Sequence, residues 1–365
     1  MPAHLPALDG LRAVAISLVL WQHAGILFGG YGLDMGSPFW RASRAGWWGV
    51  DLFFVLSGFL ITRVLLRQPG GRGSLGAFWR RRAARTLPLL YVYLTVTAAY
   101  GMGGAFPVQD QPWLPYLTHT ANWHIAWHDF GLPIFGMLWS LGVEEQFYVL
   151  WPLVVKVARR RLLGACAAAI VAAPLARLLV YRVSDSYAAF HVLPFCRVDT
   201  LAMGAALAVA LSDERRAPTV LRIARFAAPP AAAVLSVVTV LALGPWPMAR
   251  WEEAWVVLGY SAVGLSCTAL VAFAAEGGLV TRVLLGNPVL GHVGRVSYGV
   301  YLWHCLVAHA LLSVPWDVDV GARIAVWLAI VTGLATASWF GIERPWVAPR
   351  ALAARAAGAA WLSTS

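Results

Sequence analysis

Stretches of about 20 apolar residues, the length that crosses the hydrocarbon core of a bilayer, recur ten times along this chain. Only 12% of the 365 residues are charged, whereas soluble domains carry about 25% charged residues. The sequence therefore predicts an all-α fold, a polytopic transmembrane bundle of about ten spanning helices. The spans lie at roughly residues 8–28, 47–66, 86–104, 136–157, 162–181, 198–212, 226–244, 254–275, 292–313 and 321–341.

The distribution of positive charge predicts the orientation of this bundle. When the N-terminus is placed inside, about three quarters of the 28 Lys and Arg residues fall in the inner loops, as the positive-inside rule requires. Both termini are therefore expected in the cytoplasm. The expected location of the chain is a bacterial inner membrane, in contact with its lipids. We expect one transmembrane domain, residues 1–347, and a short cytoplasmic tail, residues 348–365.

Several classes of partner are disfavoured by the same composition. The net charge of +11 lies in short basic clusters between apolar stretches, so no nucleic-acid partner is expected. Four scattered cysteines show neither disulfide nor zinc-ligand spacing. His124 and His128 lie four residues apart, but no third ligand is evident beyond His119 or Asp129. A solvated interfacial segment is the favoured interpretation of residues 105–135, and no metal is predicted.

Arg12 and His23 lie within the first apolar stretch, where ionisable side chains are costly. Eleven helical steps come to about 1100°, roughly 20° beyond three full turns, so both side chains share one face about 16 Å apart. Ionisable residues at such depth indicate a functional site. The alternative is that Arg12 marks the membrane boundary and His23 extends to the opposite boundary.

A cluster of arginines around a Gly-rich turn precedes the third apolar stretch. Arg82 and Arg85, three residues apart, share a helix face at the start of that stretch. Because guanidinium groups bind phosphate in a bidentate manner, this pair is a candidate phosphate site. Topology determination and contact with lipid headgroups account equally well for most of the cluster.

Three acidic residues and a serine also lie in or beside apolar stretches. Adjacent Glu144 and Glu145 point about 100° apart, so at most one is expected to face a given cavity squarely. Each needs a cation or a proton, and the candidate partners are the arginines and histidine above. Asp51 marks the outer edge of the second stretch. Ser57 lies mid-helix, where close packing is a more common role than nucleophilic catalysis.

The segment VSYGVYLWH near the C-terminal end contains Tyr301 and His304. Tyrosine alone would be ordinary interfacial packing, but a histidine in a membrane helix suggests contact with a substrate. A hydrogen-bonded core histidine is the alternative for His304.

Taken in order, six segments make the chain resemble the membrane acyltransferase-3 family, whose members O-acylate glycans and other acceptors. The resemblance covers roughly residues 5–347. Its segments are LDGLRAVAISLVLWQH, GVDLFFVLSGFLIT, FWRRRAARTLPLLY, LWSLGVEEQFYVLWPL, VSYGVYLWH and ERPW. The arginine–histidine motif of the family falls on Arg12 and His23, and its arginine pair falls on Arg82 and Arg85.

The resemblance implies an integral membrane enzyme that uses cytoplasmic acyl-CoA, usually acetyl-CoA. We expect Arg82 and Arg85 to hold the phosphates of the donor, with Arg12 and Ser57 along its path. His23 would act as general base on an acceptor hydroxyl or would carry the acyl group itself. Glu144 or Glu145 would orient a cation or the imidazole, and Arg12 would stabilise an oxyanion. Asp51, Tyr301 and His304 are the expected substrate-binding residues.

The expected acceptor is a hydroxyl on an exported or lipid-linked glycan. Many family members carry an additional esterase-like domain, so a separate extracytoplasmic protein is a possible relay for the acyl group. Two alternatives remain at this level. One is the same chemistry on a small molecule such as a macrolide. The other is transport without chemistry, because intramembrane Arg, His and Glu are also common in transporters.

Overall fold

Ten long helices make up most of the computed structural model, which describes residues 5–67, 73–184, 186–241 and 253–346. No strand occurs within these ranges. The long helices are α1 (Pro6–Phe28), α3 (Trp48–Leu66), α4 (Gly73–Tyr100), α8 (Leu138–Val157), α9 (Leu162–Val183), α11 (Pro194–Ser212), α12 (Ala217–Leu241), α13 (Tyr260–Glu276), α15 (Pro288–Leu312) and α16 (Val320–Ser338). The expected tail, residues 348–365, lies outside the described residues.

Short helices connect the long ones. They are α2 (Pro38–Ser43), α5 (Trp113–Leu117), α6 (Ala121–His128), α7 (Pro133–Gly136), α10 (Tyr187–Val192) and α14 (Leu279–Leu284). Each sequence-predicted span coincides with one long helix, with boundaries that shift by up to about a dozen residues. The all-α, multi-helix prediction is therefore confirmed for the described ranges.

Seven helical segments in the described ranges are long and apolar enough to cross a membrane. They contain α1, α3, α9, α11, α12, α13 and α16, in some cases together with a neighbouring short helix. The other three long helices, α4, α8 and α15, carry the arginine pair, the two glutamates and His304. That these three helices span the membrane, and that both termini lie in the cytoplasm, stay predictions.

Helix α1 lies between α3 and α15, while α3 also packs along α11. Glycines permit two of these close approaches. A β-carbon at Gly58 of α3 would collide with the carbonyl of Leu201 in α11, and one at Gly204 would collide with that of Val55. A β-carbon at Gly294 in α15 would likewise meet the Asp9 carbonyl of α1. Small residues thus allow the backbones to meet, as in other membrane bundles.

Two ion pairs lie fully buried among α3, α9 and α11. Arg197 Nη2 contacts Asp51 Oδ1 at 2.7 Å, and Arg177 Nη2 contacts Asp199 Oδ2 at 3.0 Å. Arg177 also donates to the Ser261 hydroxyl and the Val257 carbonyl. These contacts bury Asp51, which lies in the first turn of α3, in the packing between helices.

The connection between α4 and α8 is more deeply buried than its sequence indicates. The residues of α6 include a fully buried Asn122, and α6 packs against α8 and α10. The side chain of Gln146 donates to Asn122 Oδ1 and to the carbonyl of His119, each at 2.9 Å. One side of α6 is therefore packed against the bundle, where Gln146 satisfies polar groups that would otherwise need water, and the interpretation as a solvated segment stays a prediction for the exposed remainder.

Candidate active site

Helix α1 presents Arg12 and His23 to two different cavities. The first, the arginine cavity, encloses about 100 Å³, and its walls include Arg12, Arg82, Arg85, Glu144 and Glu145. The second, the histidine cavity, encloses about 470 Å³ and contains His23 in its wall. The helix face that carries both side chains therefore borders both cavities, with Arg12 at one and His23 at the other.

Two of the arginines in the first cavity have no carboxylate partner. Neither Arg82 nor Arg85 lies within ion-pair distance of an acidic side chain in the described ranges. Arg12 differs, because its Nη1 lies 3.2 Å from Asp9 Oδ1. The guanidinium of Arg82 lies over the ring of Tyr148, 5.1 Å from its centroid. Guanidinium groups without a carboxylate, lining a cavity, are suited to an anionic ligand.

Glu144 contacts hydroxyl groups rather than the cations that the sequence offered as partners. The Ser57 hydroxyl donates to Glu144 Oε1 at 2.7 Å. The Tyr148 hydroxyl lies 2.9 Å from Ser57 Oγ and 3.1 Å from Glu144 Oε2. Glu145 lines the same cavity, and the expectation that at most one of the two glutamates faces it squarely stays a prediction. The cavity extends around the helix and reaches both positions.

His119, on the connection between α5 and α6, also lines the arginine cavity. Its backbone is left-handed, with φ of 56°, and its Nε2 is buried without a hydrogen-bond partner. Burial lowers the pKa of this imidazole. Such a conformation is costly for a residue other than glycine and is often found at functional sites. The sequence offered His119 only as a weak metal ligand.

The protonation of His23 follows from one hydrogen bond. Its Nδ1 lies 2.9 Å from the carbonyl oxygen of Val19. Because a carbonyl can only accept, Nδ1 carries the proton in the neutral ring and Nε2 keeps its lone pair. Nε2 is therefore the basic nitrogen available at the histidine cavity.

The rest of the histidine cavity is largely aromatic. Trp47, Trp139 and Tyr187 contribute to its wall, together with His191 and Arg44. Tyr187 stacks on His191, with ring centroids 5.5 Å apart and planes inclined by 19°. Flat rings with polar edges are suited to ligands that combine apolar faces and hydroxyl groups.

Tyr301 and Val50 line both cavities. The Tyr301 hydroxyl lies 2.6 Å from Ser140 Oγ and 2.7 Å from the carbonyl oxygen of Met137. These hydrogen bonds hold the phenol ring in the shared wall. His23 in the histidine cavity and the arginines in the arginine cavity therefore lie on opposite sides of one layer of side chains.

Most of the sequence-predicted site residues come together in this way, with two exceptions. Asp51 and His304 line neither cavity. His304 is fully buried, and its Nδ1 lies 2.5 Å from the Tyr301 carbonyl, which confirms the alternative of a hydrogen-bonded core histidine. Their substrate-binding roles stay predictions without a supporting contact. Sequence reasoning missed Tyr148, although its spacing of four from Glu144 places it on the same face.

The chain also matches a known protein family. Residues 5–342 match the family model Acyl_transf_3, described as an acyltransferase domain. The chain belongs to this acyltransferase family. The family membership expected from six segments of the sequence is thereby confirmed.

Curated relatives of this acyltransferase agree on the reaction class. Peptidoglycan O-acetyltransferase OatA of Listeria monocytogenes is 34% identical over 161 residues, 41% of this chain and 24% of that protein. YrhL of Bacillus subtilis, whose name gives peptidoglycan O-acetyltransferase as a provisional activity, is 27% identical over 94% of this chain and 55% of its own length. A Staphylococcus aureus (strain COL) protein, provisionally named an O-acetyltransferase, is 25% identical over 90% of this chain and 54% of its own length.

The chain thus spans about half or less of each of these relatives. No solved structure shows a significant match to it.

Proposed function

We propose that this acyltransferase moves an acetyl group from cytoplasmic acyl-CoA to a hydroxyl group of an exported or lipid-linked glycan. The observation that carries the proposal is the shared wall of Tyr301 and Val50 between the arginine cavity and the histidine cavity. The thioester end of a donor held by the arginines must cross this layer to meet the basic nitrogen of His23.

The arginine cavity is the proposed donor site. Arg82 and Arg85, which lack carboxylate partners in the described ranges, would bind phosphate groups of the donor through charge-assisted hydrogen bonds.

Acyl transfer then needs one proton relay at the shared wall. His23 Nε2 takes the proton of the acceptor hydroxyl while the hydroxyl oxygen attacks the thioester carbonyl carbon. Collapse of the tetrahedral intermediate breaks the carbon–sulfur bond, and the protonated imidazole returns its proton to the leaving CoA sulfur. The hydrogen bond from Nδ1 to the Val19 carbonyl keeps the ring oriented throughout.

The axial distance between Arg12 and His23 limits what Arg12 can do. At about 1.5 Å per residue the two side chains are about 16 Å apart along α1. A guanidinium at that distance cannot stabilise an oxyanion formed beside His23. We therefore assign Arg12, which lines the arginine cavity, to binding of the donor's more distant part.

The histidine cavity is the proposed acceptor site. Its volume of about 470 Å³ falls in the range of small-ligand pockets, about 300–1,000 Å³. The rings of Trp47, Trp139 and Tyr187 would contact the apolar faces of a sugar. The names of the relatives, which give peptidoglycan as the acceptor, support a glycan over a macrolide.

A transfer assay in proteoliposomes tests the proposal. Labelled acetyl-CoA is supplied with peptidoglycan-derived oligosaccharides, and acetylated sugar is quantified by mass spectrometry. We expect His23→Gln to lower kcat by about 10²–10⁴-fold, the usual contribution of a general base. His292→Gln is the matched control, since His292 lies on α15 and lines neither cavity. Turnover by His23→Gln within a fewfold of the unsubstituted protein would contradict the mechanism.

A further inference from the structure

A cluster of three potential metal ligands lies beside the proposed base. The ligand atoms of His23, His304 and Cys305 lie within 4.8 Å of one another. It is the one group of three or more such side chains found in the described ranges. The proposed transfer reaction uses His23 alone, so the other two members are without an assigned role.

Hydrogen bonds orient both imidazoles and leave one nitrogen of each ring able to bind a metal. His23 Nδ1 donates to the Val19 carbonyl, and His304 Nδ1 donates to the Tyr301 carbonyl. Both Nε2 atoms therefore keep their lone pairs. Metal-binding histidines characteristically donate their second ring N–H to a carbonyl or carboxylate, which orients the ring. The Trp327 indole further fixes the cluster by donating to the His304 carbonyl at 2.7 Å.

The third ligand is in direct contact with the second. Cys305 Sγ lies 3.2 Å from His304 Nε2, so its thiol proton points to that nitrogen. The rings of His23 and His304 meet edge to face, with centroids 4.8 Å apart. His23 is half-buried and lines the histidine cavity, whereas the other two are fully buried. The cluster borders the histidine cavity at His23 and a third cavity of about 370 Å³ at Cys305, so an ion has two adjoining cavities from which to enter.

We propose that these three side chains form a binding site for Zn²⁺ and that occupation of the site inhibits acyl transfer. Two imidazole nitrogens and one thiolate are a ligand set that suits Zn²⁺, and the open fourth position would hold water from the cavity. Bond lengths of 2.0–2.3 Å place tetrahedral ligand atoms about 3.5 Å apart. The widest pair must therefore close by about 1 Å, which side-chain rotation can supply.

Binding requires the loss of one proton. The Cys305 S–H bond breaks, its proton leaves to solvent through the third cavity, whose wall contains Cys305, and the thiolate and both Nε2 lone pairs bind the ion. Because the His23 Nε2 lone pair is then occupied, that nitrogen cannot accept a proton from an acceptor hydroxyl. The binding step is independent of the proposed function, whereas the inhibition rests on it.

Cobalt titration of the purified protein in detergent tests binding without reference to activity. Co²⁺ is the probe, since a cobalt–thiolate site gives a charge-transfer band and tetrahedral cobalt absorbs in the visible. We expect both signals to saturate at one equivalent and to disappear on addition of Zn²⁺. Cys305→Ser should abolish the charge-transfer band and weaken binding at least about tenfold, while Cys267→Ser, at a buried cysteine outside the cluster, should change neither.

Transfer assays test the consequence. Zn²⁺ should inhibit the unsubstituted protein reversibly on chelation, and Cys305→Ser should keep its basal activity while losing at least about tenfold in sensitivity to Zn²⁺. Cys305→Ala serves the same purpose if the serine variant does not fold. Absence of a saturable cobalt–thiolate signal would overturn the site, and equal Zn²⁺ sensitivity with and without Cys305 would overturn the inhibition. A cobalt site in a protein that transfers no acetyl group would instead contradict only the proposed function.

Discussion

Two sets of arginines lie inside the helix bundle, and they differ in their partners. Arg177 and Arg197 each contact an aspartate and are fully buried. Arg82 and Arg85 contact no carboxylate in the described ranges, and both line a cavity. Buried charges must be paired or must face a ligand or water. The paired set therefore joins helices, and we propose that the set without carboxylates binds an anion.

This contrast shows why position in an apolar stretch is a poor guide to role. Arg177 lies within an apolar helix and is as unusual for a membrane as Arg12. Its hydrogen bonds to neighbouring helices nevertheless explain why this charged side chain is buried there. Arg197 lies over the ring of Tyr260, with its guanidinium 4.3 Å from the centroid, in addition to its ion pair. What separates the two sets is whether the guanidinium lines a cavity, because Arg12 is paired with Asp9 and nevertheless lines one.

The paired set should show the largest effect on stability. Arg177→Met leaves Asp199 buried without its cation, and we expect a loss of about 3–5 kcal/mol in unfolding free energy. Thermal unfolding in detergent measures it. Arg182→Met is the control, because the Arg182–Glu253 pair is exposed and should contribute little to stability. Recovery in Arg177→Met combined with Asp199→Leu would confirm the pairing, and equal effects of the two single variants would refute it.

A smaller effect is expected at the acceptor side. Tyr187→Leu removes an aromatic face from the histidine cavity, and we expect the acceptor KM to rise about three- to tenfold with the donor KM unchanged. Tyr31→Leu, at a similarly exposed tyrosine that lines neither cavity, is the control. A rise confined to the donor KM would place the acceptor elsewhere.

The smallest effect concerns pH. Because burial lowers the pKa of His119 in the folded protein, the unfolded chain binds this proton more readily. His119 therefore reduces stability as the pH falls below the ordinary imidazole value, about 6.5. Asparagine tolerates the left-handed backbone at this position. We expect the Tm of His119→Asn, relative to the unsubstituted protein, to increase as the pH is lowered from 7.5 to 5.5, and a difference independent of pH would contradict this.

The helices were predictable because apolar length and period are local properties. The register of Arg12 and His23 on α1 was predictable for the same reason. The division into two cavities was not, since it depends on Tyr301 of α15 and Val50 of α3 meeting across the bundle. Likewise, no spacing indicates that Glu144 contacts Ser57, which lies 87 residues away in sequence.

Polar residues inside connections were the hardest to predict. The segment containing His119 and Asn122 has the composition of a wet interfacial loop. The His119 carbonyl and the Asn122 side chain instead accept hydrogen bonds from Gln146, which follows them by 27 and 24 residues in the sequence. A partner of this kind is visible only once the tertiary packing is known.

The most direct test substitutes Arg82 or Arg85 and measures the KM of the donor and the KM of the acceptor separately. Arg82→Gln and Arg85→Gln should each raise the KM for acetyl-CoA by about 10–100-fold, as expected for a lost charge-assisted hydrogen bond, and should leave the acceptor KM within twofold. Arg81→Gln, at an exposed position on the same helix, should change neither value. A rise in the acceptor KM with an unchanged donor KM would show that the arginine cavity does not bind the donor.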